Sequence, residues 1–171
     1  YLDNPISPLP GAVLLSLPFV LLGTSAYQNL FWLALFFLIV ARSTGNWGAA
    51  LAISGGTLAF SPVILQGLAN GSDLFSNGVY LFAFTWLLLR TNQGHSTRLL
   101  SAILLGIGLS SRASFWLLVP LVAVHLLRTR PRKQAVQTLI VIAGSCVLVT
   151  APFYFANPDE FSPLHTASRL A

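Results

Sequence analysis

The sequence predicts an all-α protein: a polytopic transmembrane bundle of about six to seven hydrophobic helices, forming one region over residues 1–171. Three observations carry this. Charged residues make up only 8% of the chain, against roughly 25% in a soluble domain. Apolar residues reach 55%, and the mean hydropathy is +0.76. Apolar runs recur along nearly the whole length, which in water would expose more apolar surface than a monomer tolerates. In lipid the same runs are natural helices, because a helix satisfies its own backbone.

The net charge of +5 does not point to nucleic acid. The basic residues stand at the ends of apolar runs and not in one patch, which is where membrane topology places them. The single Cys146 lies inside an apolar run, so neither an internal disulfide nor a cysteine metal site can form. The chain has no Met and opens at Tyr1 in a Pro-rich stretch without a basic leader. The expectation is a piece of a longer membrane protein.

The apolar segments run approximately over 11–23, 28–41, 47–66, 78–90, 99–110, 114–127 and 135–155. A straight span needs about 20 apolar residues. The third and seventh segments meet that. The fifth and sixth are short, and so is the first, which reads either as a span or as a re-entrant or interfacial helix. Pro62 should kink the third segment and Pro120 the sixth. Gly48, Ala52 and Gly56 recur at intervals of four, a stripe that would let another helix approach closely and would put this segment inside the bundle. Trp32, Trp47, Trp86, Trp116 and Tyr154 fall near segment ends, as an aromatic belt requires.

Charge sets the orientation. The cluster "RTRPRK" at 128–133 is the densest basic stretch and anchors on the cytoplasmic side. Counting back, the loop at 91–98 and the loop at Arg42 are cytoplasmic too. The loops holding Asp73 and Arg112 then face outward, with the tail after Pro152. Asp3 joins them only if 11–23 does not fully cross. This arrangement requires 99–127 to be a hairpin turning at Arg112.

Arg112 stands in "SSRAS", a small polar turn between two apolar helices of about 13 residues, roughly 20 Å each, against a hydrocarbon core near ~30 Å. The turn would then lie below the membrane surface. A charge held there marks a functional site by default, and a guanidinium matches phosphate in a bidentate fork. The competing reading is a loop arginine snorkelling to lipid headgroups.

Four stretches carry a family resemblance. "YLDNPISPLPGAVLLSLPFVLLG", "SPVILQGLANGSD", "LLGIGLSSRASFWLLVPLVAV" and "PFYFANPDEF" follow one another in the order seen in GT-C type glycosyltransferases. The chain resembles the mannosyltransferase-like members, which use a polyprenyl-phosphate sugar as donor. The resemblance implies sugar transfer on the extracytoplasmic side, with the bilayer and the lipid-linked donor as partners. It implies a place in a bacterial plasma membrane. Arg112 would lie near the carrier phosphate, and Asp73 and Asn70 would border the same cavity. The family's catalytic acid usually lies in an early extracytoplasmic loop. No residue of this chain is assigned to it, Asp3 included.

An inverting transfer needs a carboxylate base for the acceptor hydroxyl and cations or a divalent metal for the departing phosphate. Asp159 and Glu160 are adjacent, but Asn157, Pro158 and Glu160 read better as N-cap, first helical position and capping box. His95, His125 and His165 show no metal-ligand spacing. "GIGLSS" follows no strand and lacks a third Gly, so it is not a dinucleotide fingerprint. "NGS" at 70–72 fits a glycosylation sequon in a secretory context. A different class remains open, a fragment of a transporter or lipid flippase, which would share the broken helices, small-residue stripes and isolated Arg.

Overall fold

The computed structural model describes residues 10–90 and 94–156. Asp3, Asn157, Asp159, Glu160 and His165 lie outside the described residues, and with them the expected capping box. The described chain is all helical: α1 (Pro10–Leu21), α2 (Tyr27–Thr44), α3 (Trp47–Ala59), α4 (Pro62–Ala69), α5 (Leu74–Leu89), α6 (His95–Leu109), a 3-10 turn (Ala113–Leu117), α7 (Leu118–Thr129) and α8 (Arg132–Ala156). Each expected segment is present. Most helices extend beyond their apolar run, because flanking polar residues continue the helical hydrogen bonding without needing burial.

Among the described residues α8 alone is, by length and composition, long and apolar enough to cross a membrane, and α3 with α4 passes when the two halves are added. Only 6% of the apolar window of α8 is buried. Val136, Ile140, Val147, Leu148 and Phe155 face outward along it.

Two prolines act differently from expectation. Pro62 does not kink the third segment; it divides it, with a bend of 82° between α3 and α4. A proline pushes the preceding residue out of the helical region, and Ser61 stands at φ −122°, ψ 88°. Pro62 then opens α4, where its missing N–H costs nothing. Pro120 lies in the first turn of α7, downstream of the 3-10 turn. There its missing N–H breaks no helical hydrogen bond.

The chain divides into two compact units, one of Tyr1–Leu15 with Phe84–Ala171 and one of Ser16–Ala83. In the second, α2 packs on α3 through Val40, Ala41 and Ala50, with Phe36 and Phe37 against them. Phe36 also meets Phe75 and Phe82 of α5 edge-on at 6.4 and 5.8 Å. Asn46 caps α3, its side chain accepting from the Ala49 N–H at 3.1 Å, and Gly45 ends α2 at φ 64°, where a side chain would be strained. The buried face of α3 is Ala50 and Ser54. The stripe of Gly48, Ala52 and Gly56 is offset from it. A Cβ at Gly48 would meet only Asn46, and one at Gly56 only the ring of Phe60, so within this unit the stripe receives no helix.

The close approach occurs instead in the other unit, between α6 and α8. Ser101, Ala102, Leu105, Gly106 and Leu109 are buried on α6, and Ala135, Thr138 and Ile142 on α8. A Cβ at Gly106 would stand 2.5 Å from the Ile142 carbonyl and 2.7 Å from Ser145 Cβ. Polar contacts tie one end of this unit. The Arg98 guanidinium donates to Gln134 at 2.9 Å. That of Arg130 donates to the carbonyls of Leu88 at 3.2 Å and Arg90 at 2.8 Å, capping the C-terminal end of α5. Arg90 lies over the Trp86 ring at 4.8 Å. The basic stretches around 90, 98 and 130 therefore share one end, as the hairpin turning at Arg112 requires. Val122 and Leu126 of α7 are buried.

The Gly106 approach generates a prediction. Gly106→Ala must move the α8 backbone, and overpacking of this kind costs about 1–3 kcal/mol. A Cβ at Gly144 meets nothing, so Gly144→Ala should be neutral or stabilising by up to about 1 kcal/mol. Thermal unfolding in detergent should separate the two variants in that order; equal midpoints would show that the α6–α8 approach is not tight.

Candidate functional site

Two of the polar turns between the apolar helices, one in each unit, carry the expected site residues. The first is built where α4 gives way to α5. The Asn70 N–H bonds to Gln66 O at 2.9 Å, Gly71 N–H to Leu68 O at 3.3 Å, and Ser72 N–H to Gly67 O at 2.7 Å. This is a Schellman ending, and Gly71 supplies its left-handed residue at φ 69°. Asp73 then starts α5: its carbonyl accepts the Asn77 N–H at 2.8 Å, and its carboxylate accepts from Asn77 Nδ2 at 3.0 Å. Asn77 is buried, so it holds the half-buried Asp73 carboxylate in one orientation. Asn70 is exposed and its backbone closes α4.

Asn29, buried in the first turn of α2, holds this turn in place. Its Nδ2 donates to Ser72 O at 3.0 Å, and its Oδ1 accepts from the fully buried Ser76 hydroxyl. Gln28 beside it is also buried. These amides were not among the residues expected to act. A signal was present in "YQNLFW", where two amides head a long apolar run and water cannot reach them if the run is in lipid. Trp32 belongs to the same layer. It is buried and packs edge-on against the buried Tyr80 at 5.5 Å, so it is a packing residue and not a belt anchor. Trp47 and Trp116 remain exposed.

The second polar turn joins α6 to the 3-10 turn. Ser110 and Ser111 are buried. Their hydroxyls return to the carbonyls of Ile107 and Gly108, which satisfies the end of α6 from within. Arg112 follows in an extended conformation, φ −152°, ψ 137°. Its carbonyl accepts the Phe115 N–H at 3.1 Å and opens the 3-10 turn. The side chain is half-buried, with Nε enclosed. The arginine thus leaves a rigid corner, between a helix end fixed by two serines and a tight turn.

Asn70 and Asp73 are brought together on one short turn of the unit Ser16–Ala83; Arg112 belongs to the other unit. Among the described residues no three of His, Cys, Asp and Glu gather as a metal would need. His95 is exposed and pairs with Arg98 at 2.9 Å. Cys146 is half-buried on α8. No family model, curated protein or solved structure matches the chain.

Removing Asn29 should be costly. Asn29→Ala removes the acceptor of the buried Ser76 hydroxyl and one donor to the Ser72 carbonyl, and an unsatisfied buried hydroxyl costs about 1–3 kcal/mol. Chemical denaturation in detergent should show a loss of at least that order. Substitution of the exposed Asn70 by Ala, which leaves the backbone cap intact, should change stability by less than about 0.5 kcal/mol.

Proposed function

We propose that this chain is part of a polytopic integral membrane glycosyltransferase. It holds a polyprenyl-phosphate sugar on the extracytoplasmic side, and Arg112 grips the carrier phosphate. The observation that carries the reading is the Arg112 corner: a half-buried guanidinium fixed between two apolar helices too short to lift it clear of a bilayer. The 15 residues of α6 rise roughly 23 Å, short of a core of about 30 Å. A membrane setting is supported by α8, whose apolar window is 6% buried; the core helix of a soluble protein would be enclosed.

The chemistry follows from the side chain. A guanidinium presents paired N–H donors to two phosphate oxygens. As the sugar leaves, charge grows on those oxygens, so the contact strengthens in the transition state and accelerates transfer. Asp73 and Asn70, on their turn, would border the donor's path. No residue of this chain is assigned as the base. The broken helix at Phe60–Ser61, bent by 82°, favours a second reading, movement of a lipid-linked substrate across the membrane.

One experiment addresses both. The protein, expressed from its complete reading frame, is placed in proteoliposomes with a panel of lipid-linked sugars. Sugar transfer and lipid movement are measured separately. Arg112→Ala should lower transfer at limiting donor by about ten- to hundredfold, the equivalent of a charge-assisted contact of about 1.5–3 kcal/mol. Arg112→Lys should recover part of that, since it keeps the charge but loses the fork. Full transfer by a folded Arg112→Ala protein reduces the arginine to a snorkelling anchor. Lipid movement without transfer selects the second reading.

A further inference from the structure

The first turn of α1 is docked on the turn that ends α6. The Gly11 N–H donates to the Ser110 carbonyl at 3.3 Å. A Cβ at Gly11 would collide with the Ile107 carbonyl, the Ser110 hydroxyl and the Ser111 amide. Pro10, Gly11 and Ala12 are buried there. Gly11 and Ser110 are therefore on one side of any membrane the chain enters.

That contact constrains the topology, given the polytopic reading proposed above, on which this inference rests. Between Gly11 and Ser110 the chain runs through five elements: α1, α2, the broken pair α3–α4, α5 and α6. A chain that leaves one side and returns to it crosses an even number of times, so at least one element does not cross. Were the broken pair the one that turns back, Arg42 would lie on the opposite side from Arg90. The positive-inside rule argues against that division. With α1 as the exception, Arg42, Arg90, Arg98 and the cluster at 128–133 all fall on one side. α1 is also short, at 12 residues, roughly 18 Å against about 30 Å of hydrocarbon.

We propose that α1 does not cross the bilayer, but lies within the leaflet on the Arg112 side with lipid acyl chains as its partner. Beyond its first turn, Val13, Leu14, Leu17, Val20 and Leu21 are exposed, and the helix carries no charged residue. A helix lying among headgroups would show a charged or strongly polar face. α1 has only Ser16 to offer, so acyl chains and not headgroups cover it. The polar residues Thr24 and Ser25 then return the chain to the same surface before α2 descends.

The test uses single cysteines in a Cys146→Ala background: Thr24→Cys, Ser43→Cys and Ala113→Cys, all at exposed positions. An impermeant maleimide is applied to intact cells and again after permeabilisation. Positions 24 and 113 should react from one side and position 43 from the other, with at least tenfold preference. If 24 instead reacts with 43 and opposite 113, α1 crosses; the proposal fails while the polytopic reading survives. If alkaline carbonate releases the chain, both fail. A spin label at Leu17→Cys supplies a second readout. Its collisions with oxygen should exceed those with a water-soluble nickel chelate, and the reverse order would remove the acyl-chain contact.

Discussion

Most of the structure around Arg112 depends on one missing methyl group. Gly106 lets the backbone of α8 come against α6 at a distance no Cβ would permit. In a lipid setting helices gain nothing by hiding apolar surface from one another, so association rests on close packing and interhelical hydrogen bonds. The small face of α6 supplies the first, and the Arg98–Gln134 bond the second. With α6 fixed on α8, the turn at Ser110–Arg112 has a fixed place, and α1 docks its Gly11 onto it.

The same economy of polar groups appears in the other unit. Asn29 reaches the Ser72 carbonyl and the Ser76 hydroxyl, and Asn77 reaches the Asp73 carboxylate. The Asn29, Ser76 and Asn77 side chains are buried among apolar helices, where an unmatched donor or acceptor is expensive. Matching them to one another turns a cost into a constraint on geometry. The turn carrying Asn70 and Asp73 is held by this pairing, and Arg112 is held by two serines that close the end of their own helix. Both candidate turns are thus fixed by neighbours with no chemical part of their own.

Among the described residues hydropathy located the apolar segments, though it joined α3 and α4 into one, because burying or solvating a dozen apolar side chains outweighs most local preferences. The turn at Arg112 was legible for the same reason: "SSRAS" is a short polar interruption between two apolar runs, and the basic loops on either side call for a return. Local chemistry was read less well. Pro62 looked like a kink in a long span, yet the clash with Ser61 made it a break. Trp32 stands at a segment end as a belt residue would, but its ring packs on Tyr80. The stripe at Gly48, Ala52 and Gly56 has the spacing of a helix contact, whereas the tight contacts fall at Gly11 and Gly106. A glycine permits close approach without causing it, and the cause is the backbone of a distant segment.

The sequence by itself determined that the chain is helical, where the apolar helices lie, and that a lone arginine occupies the turn between two of them. Those properties follow from composition and order along the chain, since hydropathy and charge act residue by residue. Only the tertiary structure decided which glycines touch a neighbouring backbone, which amides find partners, and that α1 begins at the turn beside Arg112. Each of these joins residues far apart in sequence, Gly11 to Ser110, Gly106 to Ile142 and Asn29 to Ser76. Such pairings are set by close packing and hydrogen-bond geometry in three dimensions, and no periodicity within one segment encodes its partner.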